Sequence, residues 1–561
     1  MTKRLVECVP NFSEGRDLAV IKTITNAIEA IDGITLLNVD PGEATNRTVV
    51  TFVGNPDAVV DAAVVAGVTA AEVIDMSSHT GEHPRFGAMD VCPLVPVNGI
   101  TMDETVELAQ AVGRRLGEAG LTIFLYEKAA SAPHRRNLAN VRAGEYEGLS
   151  DKLRDPDWQP DFGPATANPR SGATAVGARD FLIAYNVNLN TTSTRRANAV
   201  AADVRERGRI KRDGDQITGE IIRDAGGRPV WVPGSLPSVK AIGWFIEEYG
   251  IAQISMNLTD ISVTPIHTAF DEVVDKAAAR GMRVTGSEIV GLVPQRTMLD
   301  AGRHYLKKQR RSTGVADAEL IKIAVKSMGL DELDDFDPSE KIIEYRLSNP
   351  GTDRLADLTV TGFIEETASE SPAPGGGSVS ALAGALGAGL GTMVANLASH
   401  KRGWDNRWEE FSDWADQGKD LYIRLLALVD DDTEAFNGIL SAHRLPTGTP
   451  ADVQAREAAV AAATRRAIEV PLAVMEAAVA SFEIISAMAE EGPVSSVSDA
   501  GVGALLAAAA ARGAEFNVRI NSAGLEGAEE YLSRASELEA AATAAEAAVL
   551  AGVARRIAKQ S

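Results

Sequence analysis

Residues 34–74 read ITLLNVDPGEATNRTVVTFVGNPDAVVDAAVVAGVTAAEVI, and they hold the plan of the first half of the chain. β-branched and apolar residues over Ile34–Val39 and Thr48–Val53 predict two strands, separated by a turn segment at Asp40–Asn46. Asn55-Pro56-Asp57 carries the cap-and-proline chemistry of a helix start, and that helix is expected to run to Ile74. Outward from this stretch, Leu5–Val9 reads as a strand and Leu18–Ile31 as an amphipathic helix closed by Asp32-Gly33. Asp90–Val97 reads as a strand, Asp103–Glu118 as a helix and Leu121–Tyr126 as a strand. The order contains βαββαβ, which suits a split-βαβ, ferredoxin-like sheet with helices on one face.

A similar order returns from Phe181. FLIAYNVNLN (181–190) reads as a strand, Ser193–Gly208 as a helix, Val239–Phe245 and Ala252–Leu258 as a strand pair, His267–Arg280 as a helix and Arg283–Val293 as a strand. An internal structural duplication is expected. The acidic stretch DELDDFD (331–337) and Asn349-Pro350-Gly351 then mark a boundary. Beyond it strand patterns nearly vanish and alanine rises, to six of the ten residues in 541–550. The fold class expected is multidomain. An α+β N-terminal half has two ferredoxin-like (βαββαβ) subdomains at 1–180 and 181–328, with a linker at 329–356 and an all-α antiparallel helical bundle at 357–561.

At 561 residues the chain is long enough for three or four units of roughly 150 residues. It carries 55 basic against 78 acidic residues, a net charge of −23, which argues against nucleic acid or an anionic membrane as the main partner. Two cysteines, Cys8 and Cys92, make neither a disulfide framework nor a four-thiolate metal site, and a reducing compartment fits best. The start MTKRLVECVPNFSEG has no apolar h-region, so no secretory signal is expected. Residues 379–398 have the length of a membrane span, but small and polar residues interrupt them and favour a close-packed helix. A cytoplasmic location follows as the expectation.

The densest polar cluster is His79-Thr80-Gly81-Glu82-His83-Pro84-Arg85. It contains the H-x-x-E-H zinc pattern, but Gly81 weakens a helix and Pro84 disfavours helical backbone at His83. The open readings are a metal site, a solvated turn, and an active-site loop with one histidine as acid–base. Asp40 follows a strand and Arg47 opens the next, so the two form either a structural pair or a means to orient a histidine or hold a substrate carboxylate. FGPATANPRSG (162–172) is either a plain connection or a ligand loop. Pro374-Gly375-Gly376-Gly377-Ser378 opens a long helix, either as a cap or as an anion site without the lysine of a phosphate loop. In LVDDDTEAF (428–436) the apolar stripe Leu421, Leu425, Leu428/Val429, Phe436 and Ile439 turns Asp432 inward, while Asp431 and Glu434 face solvent. A carboxyl in an apolar groove suits a general acid; the alternative is an inward ion pair.

Together LVECVPNFSEGR, TNRTVVTFVG, GEHPRFGAMDVCP, RAGEYEGL, DFGPATANPRSGATAVGARDFLIAYNVNL, APGGGSV and LVDDDTEAF resemble the bifunctional formimidoyltransferase–cyclodeaminases of histidine degradation and folate metabolism. The resemblance implies formimidoyl transfer from N-formimidoyl-L-glutamate to tetrahydrofolate in the first half, in its N-terminal (1–180) and C-terminal (181–328) subdomains. It implies closure to 5,10-methenyltetrahydrofolate with release of ammonia in the second half. By the family pattern His83 is the transferase acid–base and Asp432 is the cyclodeaminase acid; Asp40 is expected to fix the His83 tautomer or to stabilise its imidazolium. The folate contacts fall on Gly163-Pro164-Ala165-Thr166-Ala167-Asn168-Pro169-Arg170-Ser171-Gly172 and on Gly375, Gly376, Gly377 and Ser378, with Arg47 and Arg85 as candidates for substrate carboxylates. Tetrahydrofolate, in free or polyglutamylated form, is the implied co-substrate, with no metal. The implied partners are the two substrates and further copies of the chain (a homo-oligomer, dimer or higher), with no nucleic acid and no membrane.

Three departures stand out. Residues 211–237 are longer than the usual connection and lack its basic run, Gly492-Pro493 replaces Gly-Asn, and Ser171 replaces the usual tryptophan. The rival expectations are a metal hydrolase using His79 and His83, and a folate-binding or scaffold protein with one or both sites degenerate.

Overall fold

The computed structural model describes residues 4–42, 46–80, 85–214, 218–247, 249–347, 354–371, 373–525 and 527–559. The chain divides into two compact units, one of residues 1–297 with 329–347, the other of residues 298–328 with 348–561.

Among the described residues the first unit holds two main sheets and a small two-stranded one, Arg209–Ile210 with Trp231–Val232. In the first, strand Leu5–Cys8 lies between Arg47–Gly54 and Met89–Asn98, and Ile34–Gly42 flanks Arg47–Gly54, all antiparallel. Met89–Asn98 then pairs in parallel with Ala173–Ala178, and that strand with Thr122–Glu127. Three helices, Leu18–Glu29, Pro56–Val73 and Met102–Glu118, pack into one core with Val6, Cys8, Val50, Phe52, Cys92 and Leu94. Asp17 and Asn55 cap the first two, and Thr101 with Glu104 forms a capping box on the third. Alternation along a strand sends the residues between these apolar ones, Glu7 and Thr51 among them, to the opposite face.

The strand from Ile34 reaches Gly42, so Asp40 and Pro41 pair with Val49 and Thr48 and are not part of a turn. Proline is tolerated there because this is an edge strand. The second sheet runs in the order Val239–Ile246, Ile251–Leu258, Ile183–Leu189, Val284–Val290, all antiparallel, with helices Thr194–Val204 and Ile266–Ala278. Its strand order, in chain sequence, repeats that of the four main antiparallel strands of the first sheet. The described part of 211–237 folds back on itself, with Arg212 bridged to Ile221 and Arg223 to Pro229.

The second unit is helical. Five long helices, Gly376–Ser399, Trp408–His443, Pro450–Glu491, Val497–Asn521 and Glu529–Ala558, pack against one another. Small residues set their spacing: a Cβ on Gly387 would lie 2.8 Å from the Gly503 carbonyl oxygen, so the first and fourth approach to backbone contact. Among the described residues three helices are long and apolar enough to cross a membrane, yet more than half of each apolar window is buried against protein, 61% for Gly376–Ser399.

Residues 298–328 pack into this unit through Ser312, Thr313 and Gly314. The Thr313 N–H donates to the Ser412 hydroxyl at 3.0 Å, and Lys419, its side chain 5% exposed, donates to Asp317 at 2.7 Å. An ammonium so deeply buried depends on its partner. Asp317→Ala is therefore expected to destabilise the helical unit by about 2 kcal/mol, the buried-pair cost discounted because Asp317 is one-third exposed. The urea midpoint of that unit reads it, and Lys419→Met, which removes the need for a partner, is expected to cost less.

Candidate active sites

The two sheets border a cavity of about 610 Å³ in the first unit, on the face of the first sheet opposite its main apolar core. Glu7, Asn38 and Thr51 line it from the first sheet, Ala184 and Val290 from the second, and Lys341 from the chain that follows. Glu7 is buried, and burial pushes its carboxyl up to about 7 against the pull of Arg179. Asp40 lies two residues beyond Asn38 on the same side of its strand. Among the described residues its carboxylate makes no hydrogen bond or ion pair.

Next to this face is a buried charge cluster. Asn11 pairs with Val91 but Phe12 with Met89, so Asp90 is the extra residue of a bulge. Its side chain, 1% exposed, lies 2.8 Å from Arg142 and 3.4 Å from Arg47. Burial raises the Asp90 carboxyl and the two guanidiniums oppose the rise. Arg47 also donates to the Asn11 side chain at 3.0 Å. The guanidinium that the sequence set beside Asp40 thus serves Asp90 and Asn11. Burial lowers the pKa of Arg47, partly offset by Asp90.

Of the two histidines of the polar cluster, His83 lies outside the described residues, as do Gly81, Glu82 and Pro84. His79 is buried, and its Nε2 donates to the Asn46 carbonyl at 2.9 Å, which leaves Nδ1 as a buried acceptor with no partner among the described residues. Desolvation lowers its pKa, so the ring stays neutral. Asn46, with φ of 49°, ties the region together: it accepts from Gly15 N–H and donates to the Thr80 carbonyl, each at 2.9 Å. Arg85 pairs with Glu147 at 2.5 Å and sits over the Tyr146 ring.

The loop Gly163–Gly172 divides in two. At one end Thr122 donates to the Pro164 carbonyl, and Gly163 packs on Leu121, on the structural side of the sheet. At the other end Tyr146 donates to the Pro169 carbonyl, Met76 N–H donates to Arg170, and Gly172 bridges to Gly87. Asn168 to Gly172 therefore adjoin the residues flanking the 81–84 segment, while Gly163 and Pro164 do not. Ser171 is buried with its hydroxyl unpartnered among the described residues.

In the helical unit two distant motifs meet. The Asp432 carboxylate accepts from the Ser378 N–H at 2.8 Å and from its hydroxyl at 3.0 Å, at the start of the helix Gly376–Ser399. A Cβ on Gly377 would fall 2.1 Å from Asp432, so glycine is what admits the carboxylate to the helix end. Burial raises the Asp432 carboxyl and the Ser378 bonds partly oppose it. The inward face runs through Leu425, Leu428, Val429 and Ala435, while Phe436 is exposed. Asp430 accepts from Leu355 N–H at 2.7 Å, and Asp431 pairs with Arg466 at 3.1 Å rather than facing solvent alone. Among the described residues no three His, Cys, Asp or Glu side chains are grouped to hold a metal ion.

Asp90, Asn11, Asn46, Arg142 and Glu7 were not singled out by the sequence. Glu7 and Asp90 left one trace, an acid inside an otherwise apolar strand.

Family models match three consecutive stretches: "Formiminotransferase domain, N-terminal subdomain" over residues 5–179, "Formiminotransferase domain" over 184–348 and "Formiminotransferase-cyclodeaminase" over 359–540. A formimidoyltransferase-cyclodeaminase of Mus musculus is 42% identical over 520 residues, covering 92% of each chain. A glutamate formimidoyltransferase of Thermoplasma acidophilum is 41% identical over 306 residues, 54% of this chain and 92% of its own. A methenyltetrahydrofolate cyclohydrolase of Methylorubrum extorquens is 34% identical over 181 residues, 32% of this chain and 87% of its own. With two polar sites in two units, and near full-length likeness to proteins that combine both activities, the chain belongs to the formimidoyltransferase-cyclodeaminase family.

Proposed function

We propose that this enzyme transfers the formimidoyl group of N-formimidoyl-L-glutamate to tetrahydrofolate, then closes 5-formimidoyltetrahydrofolate to 5,10-methenyltetrahydrofolate and releases ammonia. The observation that carries the reading is the seat of Asp432 on Ser378, where a half-buried carboxyl of raised pKa joins a glycine-rich helix start. The relatives' names, which include both activities and folate chemistry, support it. A folate-binding or scaffold role with degenerate sites is not favoured, because these relatives are named as enzymes.

In the transferase, N5 of tetrahydrofolate attacks the amidine carbon of the donor. A base takes the N5 proton and an acid returns one to the departing amino group of glutamate, and one imidazole serves both in turn. We assign this to His83, with Asp40 to hold its tautomer. The engagement of His79 Nε2 with a backbone carbonyl supports the choice of the other histidine. In the cyclodeaminase, N10 attacks the formimidoyl carbon, and the amino group of the tetrahedral centre must be protonated to leave as ammonia. Asp432 is the assigned acid, and the start of the Gly376–Ser399 helix offers free N–H groups to an anionic part of folate.

We read each sheet of the first unit as ferredoxin-like, supported by the common strand order, and the second unit as an antiparallel bundle, supported by the short connections between long helices. A homo-oligomer is supported by exposed Leu386, Leu397, Leu505, Phe516 and Ile520 on two neighbouring helices. A cytoplasmic location is supported by the two buried free thiols.

Asp432→Asn is expected to abolish ammonia release while transfer continues and 5-formimidoyltetrahydrofolate accumulates. Asp431→Asn is the control, and equal methenyl-product absorbance in the two variants would remove Asp432 from the mechanism. His83→Ala is expected to slow transfer by about 10²–10⁴-fold with cyclodeaminase turnover retained. Near-normal transfer in that variant would reject the assignment.

A further inference from the structure

Glu7 is a carboxyl with no structural employment. It sits in the middle of strand Leu5–Cys8 with apolar neighbours on both sides, is 5% exposed, and among the described residues makes no hydrogen bond or ion pair. Buried carboxyls are ordinarily paired, because desolvation is costly. What Glu7 does face is the cavity between the two sheets. Arg179, Lys341, Arg346 and Glu340 line the same cavity, and Arg179 and Glu344 are close enough to act on Glu7. A ligand that suits this wall carries two features. One end presents two N–H donors on a single carbon, matching the two oxygens of a carboxylate, and the other end presents carboxylates for the cationic groups.

We propose that Glu7 is a specificity-determining residue of the transferase that receives the N–C–N edge of a substrate as a bidentate partner. The inference rests on the transferase reading. It adds a residue to which that reading gives no role. Both substrates fit the chemistry: the donor through its formimidoyl amidine, tetrahydrofolate through its 2-amino-pyrimidinone edge, and each also bears glutamate carboxylates.

The physical consequence is a trade between stability and binding. Burial lifts the Glu7 carboxyl from 4.5 to about 7. The folded chain therefore holds this proton more tightly than the unfolded chain, and stability falls as pH rises between those values. Ionised Glu7 destabilises the free protein at pH 8, and a paired N–C–N edge offsets the cost. Binding of that substrate accordingly strengthens as pH rises through about 7, the carboxylate being the form that pairs.

The test uses the full chain and its Glu7→Gln variant, with each substrate varied at saturating levels of the other. The variant is expected to unfold no earlier than the parent at pH 8. Its KM is expected to rise about 10–100-fold for one substrate, the size of a charge-assisted bidentate contact, with a smaller change in kcat. A rise for N-formimidoylglutamate alone assigns the edge to the donor; a rise for tetrahydrofolate alone assigns it to the pteridine. The parent KM for that substrate is expected to fall between pH 6 and pH 8, bracketing the value of about 7, and the variant KM to stay flat. Unchanged KM values for both substrates, or a pH step that survives in the variant, would overturn the proposal. Cyclodeaminase turnover on supplied 5-formimidoyltetrahydrofolate, equal in parent and variant, checks that the chain is intact. If the Gln variant fails that check, Glu7→Asp replaces it, with unchanged KM values again the overturning result. A parent that transfers nothing would defeat the transferase reading itself, which is a separate outcome.

Discussion

Antiparallel strands whose main helices pack on one face leave the other face to be filled, and in this chain that constraint occurs twice, in the antiparallel part of the first sheet and in the whole of the second. In the first sheet the helix side takes Val6, Cys8, Val50 and Phe52 into a continuous apolar core. The alternate residues Glu7, Asn38 and Thr51 are then turned to the far side, where the second sheet contributes Ala184 and Val290 to the same cavity. The polar lining of that cavity follows from the two-residue period of a strand. Bulges break the period at several points, and at one of them the extra residue, Asp90, is turned onto Arg47 and Arg142.

The helical unit meets a different constraint. Its helices are rich in glycine and alanine, so their hydrophobic payload is small and close approach has to replace it. Gly387 against Gly503 is one such approach, and the same economy of volume at Gly377 admits the Asp432 carboxylate to the end of a helix. Packing and chemistry thus use one device. A helix start has unsatisfied N–H groups, an inward carboxyl needs donors, and Ser378 serves both through its N–H and its hydroxyl. Asp430 and Asp431, one residue apart, have turned to other work, one holding Leu355 and the other Arg466.

Much of this was legible in the sequence because it is local. Strand alternation and the cap at Asn55 are read from neighbours in the chain, and helical spacing alone set Asp432 on the buried side. The match of composition to architecture, with strand patterns in the first half and alanine-rich helices in the second, is equally local. The errors lay where pairing overrode local cues: Asp40 belongs to an edge strand because Ile34–Gly42 finds a partner as far as Arg47, although Pro41-Gly42 reads as a turn.

What only the tertiary structure decided are the partnerships between distant residues. No spacing joins Arg47 to Asp90, Arg142 to Asp90, or Ser378 to Asp432 across 54 positions. Nor does local pattern place residues 298–328 among the long helices, where Lys419 meets Asp317. The sequence by itself determined which segments are strands and helices, since backbone preference and side-chain period act over a few residues. It left open which polar groups share a buried site, because that depends on sheet register, on where a bulge falls and on how closely two helices approach, and these are properties of the whole packed unit.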